Sequence, residues 1–172
     1  MHTVGLVGHI GAGKTSIAKY LESKGYMRVT LSDFLVEEAR SRGLPASRKD
    51  LQDLGDELRQ RNGGSFLVRR ALEKASQAGT TRLVIDGLRN PDEVRALKET
   101  GNATLLGVSR PNRAGEDVDP TAADRERNPN EPPWGQRVAD SMPLADLVVE
   151  NAGALEDLYL QVSTLLLAEV GS

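Results

Sequence analysis

A chain of 172 residues, 38% hydrophobic and 27% charged, is long enough for one complete core and short for two, and its composition excludes a wholly disordered chain or a coiled coil. With 22 basic and 25 acidic residues the net charge is −3, so no overall basic field draws nucleic acid or an anionic membrane, and no run approaches the ~18 apolar residues of a spanning helix. Cysteine is absent, which removes disulfides, thiolate metal sites and cysteine nucleophiles together, and with no secretory leader pattern the expected location is cytoplasmic.

The hydrophobic pattern alternates short β-branched runs with helical stripes. A strand is expected over 3–7 and a helix from Lys14, with Ile17, Ala18 and Leu21 on one face. A second strand over 28–31 leads to a helix with Ser32 as its N-cap, which stops by Pro45. From Ser47 a further helix sets Leu51, Leu54 and Leu58 on a core stripe and Gln52, Asp56 and Arg59 on a stripe able to face a cleft. Gly63-Gly64 breaks it. Next come a helix over 65–78, a strand over 82–86, a helix after Pro91 and a strand over 103–108. The tail repeats the pattern: a strand over 147–149, then a helix whose apolar face is Leu155, Leu158, Tyr159, Val162, Leu165 and Leu166. Five β-α units in one chain imply an α/β domain over 1–172, a parallel sheet covered on both faces.

Segment 109–141 breaks the rhythm. It holds Pro111, Pro120, Pro129, Pro132 and Pro133 with Arg110, Arg113, Arg125, Arg127 and Arg137 but few aliphatic residues, as expected of a lid over a substrate, with Trp134 as its packing anchor.

Gly8-His9-Ile10-Gly11-Ala12-Gly13-Lys14-Thr15 matches G-x-x-x-x-G-K-[ST] between an apolar strand and an amphipathic helix, the context in which that pattern cradles a phosphate. Gly8, Gly11, Ala12 and Gly13 let successive backbone N–H groups point inward at the phosphates, with the helix N-terminus behind them. Lys14 then reaches the β- and γ-phosphates of ATP, Thr15 offers a hydroxyl to Mg²⁺, and Ser16 contacts the α-phosphate. Asp86, after Leu83-Val84-Ile85, is placed to hold the magnesium shell through water. Gly87 follows where hydrolytic ATPases commonly carry a Glu, which favours transfer to a substrate over hydrolysis, and no Asn-Lys-x-Asp guanine signature occurs.

These residues, with Ser32-Asp33, Leu54-Gly55-Asp56-Glu57-Leu58-Arg59, Val84 to Asn90 and Ala145 to Glu156, resemble the small P-loop nucleotide kinases, adenylate-kinase-related and dephospho-CoA-kinase-like. The blocks span nearly the whole chain. The resemblance implies a three-layer P-loop fold with a five-stranded parallel sheet in order 2-3-1-4-5, a lid over 109–141 and an acceptor-binding helical region over 33–64. It implies that Asp33 contacts the acceptor and takes its hydroxyl proton, or orients it if the acceptor is itself a phosphate. Arg59 and Arg89 would clamp the acceptor's phosphate, Arg110, Arg113 and Arg125 would neutralise the migrating phosphoryl group from the lid, and Asn151 would lie beside the adenine ring. Six prolines between Pro111 and Pro143 depart from the usual helical lid of monophosphate kinases.

The expected function is transfer of the γ-phosphate of ATP, with Mg²⁺, to a small nucleotide acceptor, a nucleoside or deoxynucleoside monophosphate, by a monomer or homodimer with no membrane or nucleic-acid partner. Dephospho-CoA is the alternative acceptor. An ATP-binding switch or slow ATPase acting through a protein partner is the alternative of another class.

Overall fold

A computed structural model describes residues 1–111 and 137–170. Its centre is one sheet of five parallel strands: β1 (His2–Val7), β2 (Met27–Thr30), β3 (Arg82–Leu88), β4 (Ala103–Ser109) and β5 (Leu147–Glu150). Their order is β2-β3-β1-β4-β5, as the resemblance to P-loop kinases implies. Strand β1 lies in the middle, and Val4, Leu6 and Val7 are completely buried, because helices cover both faces and leave no polar side to alternate with.

The helices are α1 (Lys14–Ser23), α2 (Leu31–Ser41), α3 (Arg48–Asn62), α4 (Phe66–Gln77), α5 (Pro91–Lys98), α6 (Val138–Ser141) and α7 (Leu155–Val170). One core joins Leu83, Ile85 and Leu105 of the sheet to α2, α3, α4 and α5 through Phe34, Leu58, Leu67 and Leu97. The opposite face carries Val84, Leu106 and Val149 against Ile17 and Leu21 of α1 and Leu158, Val162 and Leu166 of α7. Leu83 and Val84 fall in different cores because successive strand residues point to opposite faces.

Several local expectations shift. Helix α2 begins at Leu31, one residue after β2, and its N-cap is Thr30 with no side-chain capping bond, so Ser32 lies within the first turn. Leu31 is buried in the core, so it is drawn into the helix, and Ser32 and Asp33 follow it in the first turn, both exposed. Helix α3 does start at a Ser47 cap, in a reciprocal capping box with Asp50, and ends at Gly63. Leu155 is exposed at the start of α7, away from the apolar face it was expected to join.

The flanks of segment 109–141 are built into the domain: Ser109 ends β4, and Val138 of α6 is buried in the core. Arg113, Arg125, Arg127 and Trp134 lie outside the described residues. Among the described residues no helix is long and apolar enough to cross a membrane.

Candidate functional site

Several residues of the phosphate loop are placed by neighbouring elements. At Gly8 a Cβ would collide with the carbonyl oxygen of Val108, so the loop leaves β1 hard against β4. Gly13, the N-cap of α1, has φ +108°, and a Cβ there would lie 2.6 Å from Asn151 Nδ2. Gly13→Ala therefore combines a left-handed backbone with a collision. It is expected to destabilise the fold by about 1–3 kcal/mol, measured by thermal or urea unfolding. Gly79→Ala, at φ +65° with nothing within 4 Å of the added Cβ, isolates the backbone part and should cost less.

Lys14 is 8% exposed, and its Nζ donates to the carbonyl oxygens of Gly8 at 2.7 Å and His9 at 2.8 Å. These bonds hold the ammonium across the mouth of the loop. Thr15 Oγ1 donates to Asp86 Oδ2 at 2.9 Å. Asp86 reaches it because successive strand residues alternate in face: Leu83 and Ile85 point into the core of α2 to α5, whereas Val84, and two residues on Asp86, point to the α1 side. The hydroxyl and carboxylate thus meet at the C-terminal edge of the sheet, where α/β folds bind ligands. Among the described residues no group of three or more His, Cys, Asp or Glu forms a metal cage. An oxygen pair of this kind beside a phosphate loop fits Mg²⁺, which takes few protein ligands and completes its shell with water and phosphate oxygens.

Beside the loop lies a cavity of about 300 Å³, at the small end of ligand-site volumes. Its apolar wall is Leu31, Leu35, Leu51 and Leu67; Thr30, Ser32 and Gln52 supply neutral polar groups. Lys14, Arg48, Arg59 and Arg89 also line it, and Asp86 is the one lining carboxylate among the described residues. So cationic a wall suits an anionic ligand.

No protein-family model matches the chain. The UPF0200 protein of Thermococcus kodakarensis is 30% identical over 175 residues, covering 93% of this chain and 94% of that one. The chain belongs to the UPF0200 family. The family's protein from Hyperthermus butylicus is 26% identical over 169 residues, 94% of this chain and 91% of that one. A UPF0200/UPF0201 protein of Archaeoglobus fulgidus is 27% identical over 181 residues, and the match spans 97% of this chain but only 55% of the relative.

The fold of this UPF0200 chain is that of the P-loop kinases. TT1252 from Thermus thermophilus aligns over 97% of both chains with a TM-score of 0.60 and 21% identity. Shikimate kinase from Aquifex aeolicus aligns over 98% of both with a TM-score of 0.55 and 14% identity. The Mycobacterium tuberculosis APS kinase, solved with AMPPNP and APS, aligns over 96% of both with a TM-score of 0.51 and 18% identity.

Only some of the expected site residues of the UPF0200 chain share the cavity. Gly11, Lys14, Thr15, Asp86, Arg59 and Arg89 line the common cavity. Asp33 and Arg110 do not: both are exposed, Asp33 in the first turn of α2 and Arg110 just past β4. Ser32, one residue earlier, occupies the wall where Asp33 was expected, for the helix-start reason given above. Asn151 braces the phosphate loop, its Nδ2 donating to the Ala12 carbonyl at 3.0 Å and its backbone N–H to Ser109 O at 2.8 Å.

Arg59 is not a surface residue. It is 2% exposed, with Nε donating to Glu93 Oε1 at 3.0 Å and Nη1 to Asp56 Oδ1 at 3.3 Å. Sequence reasoning missed Arg48 and Glu93. Arg48 follows the Ser47 cap directly, and the start of a capped helix facing a cleft is a signal that could have singled it out. Glu93 reads in sequence only as the third residue of the helix capped by Asn90, a local role that says nothing of Arg59.

Proposed function

We propose that this chain transfers the γ-phosphate of ATP to a small acceptor that already bears a phosphate, a nucleoside or deoxynucleoside monophosphate. One observation carries the reading: the Thr15–Asp86 pair and Lys14 open into a cavity lined, among the described residues, by four cationic side chains, of which Arg59 is paired with Glu93 and Asp56, and by a single carboxylate. In phosphoryl transfer the protein's work is positioning and charge neutralisation, and this wall supplies both.

The loop N–H groups and Lys14 would hold the ATP phosphates, and Arg48 and Arg89 would hold the acceptor anion facing them. Mg²⁺ held near Thr15 and Asp86 would neutralise charge on the β- and γ-phosphates. The lining favours a phosphate acceptor over a hydroxyl acceptor such as dephospho-CoA. A phosphate oxygen attacks already ionised, whereas a hydroxyl needs a base, and among the described residues the lining's one carboxylate is engaged by Thr15.

The test is ATP consumption with Mg²⁺ against a panel of nucleoside and deoxynucleoside monophosphates plus dephospho-CoA, with a no-acceptor control. One monophosphate, or a close group, should raise consumption well above the control. Response to dephospho-CoA alone would replace the acceptor. Equal slow consumption in every well would sink phosphotransfer and favour an ATPase or a switch that acts on a protein partner.

A further inference from the structure

Glu93, in the first turn of α5, is 0% exposed, and no step above uses it. Its Oε2 accepts the backbone N–H groups of Arg89 at 2.8 Å and Asn90 at 3.2 Å. Capping α5 needs only that oxygen. Oε1 turns the other way and accepts from Arg59 Nε at 3.0 Å, across to α3. With Nε on Glu93 and Nη1 on Asp56, the same Arg59 side chain also lines the cavity. Gly55 gives the guanidinium its room, since a Cβ there would lie 3.0 Å from Nη1. The Arg89 peptide is fixed from its other side as well: its carbonyl accepts the backbone N–H of Arg137 at 2.6 Å.

We propose that Glu93 is a positioning residue for the acceptor, one buried carboxylate that aims Arg59 by its side chain and Arg89 by its backbone into the same cavity. Stability alone does not account for it. A buried ion pair roughly breaks even against apolar residues of similar size, so what this one supplies is geometry. Arg59 and Arg89 come from different elements, α3 and the β3–α5 turn, and Glu93 is bonded to both. The proposal rests on the phosphotransfer reading, and its test is built to separate the two.

Glu93→Gln keeps the shape, but its amide can satisfy either Arg59 or the two N–H groups, not both. The measurements are the acceptor KM and kcat with the responding monophosphate, the affinity for AMP-PNP with Mg²⁺, and backbone amide exchange at Arg89 and Asn90. The expected result is a rise in acceptor KM of about tenfold or more, a smaller change in kcat, AMP-PNP affinity within about twofold of the parent, and faster exchange at both amides. Glu93→Asp keeps the charge and should fall between parent and Glu93→Gln. A folded Glu93→Gln with parental KM and parental exchange overturns the proposal. So does loss of AMP-PNP binding in step with acceptor binding in both variants, which marks a purely structural role. If no monophosphate responds in the parent, phosphotransfer fails by itself, and exchange still judges Glu93: retained protection overturns its hold on Arg89, and lost protection with parental AMP-PNP affinity sustains it.

Discussion

Lys14→Ala is expected to lower acceptor-dependent ATP consumption by about 10²- to 10³-fold, the usual loss when one preorganised donor to a charged transition state is removed. The ammonium is 8% exposed and held by the Gly8 and His9 carbonyls at the mouth of the loop, so it is oriented before any ligand arrives. A neutral methyl leaves the loop N–H groups in place but takes away the positive charge of the Lys14 ammonium. Steady-state kinetics beside a circular dichroism melt make the check. Near-parental turnover in a folded variant would remove the phosphate loop from the mechanism; parental melting with lost turnover would support it.

Asp86→Asn should reduce turnover by about 10- to 100-fold and raise the Mg²⁺ concentration needed for half-maximal rate, as expected for a group that orients a metal's shell. The amide oxygen can still accept from Thr15 Oγ1, now at 2.9 Å from Asp86 Oδ2, so the local geometry survives while the charge does not. This separates an electrostatic role from a structural one. The side chain is 4% exposed, so its removal is not masked by solvent. A Mg²⁺ titration superimposable on the parent's would show that Asp86 serves only to anchor Thr15.

The phosphate loop was legible in the sequence because its chemistry is local. Its glycines, Lys14 and Thr15 lie within eight consecutive positions, and the flanking strand and helix are those the pattern requires. The acceptor side was legible only in part. Arg59 and Arg89 stood out as residue types, but a guanidinium on a helix stripe looks the same in sequence whether it meets solvent or a carboxylate 34 positions away. Asp33 illustrates the converse: its position after β2 suggested the cleft, but α2 begins two residues earlier than a Ser32 cap implies, and Asp33 is exposed in its first turn, outside the cavity's lining.

What the sequence determined by itself was the β-α alternation, the parallel sheet it demands and the phosphate-binding turn, because hydrophobic period and glycine chemistry act over a few residues. Tertiary structure alone decided which charges share a cavity. Buried Glu93 takes its partners from two different elements, and Asn151 braces the Ala12 carbonyl from 139 positions away. Such pairings follow from which elements the sheet brings side by side, and no spacing along the chain encodes them.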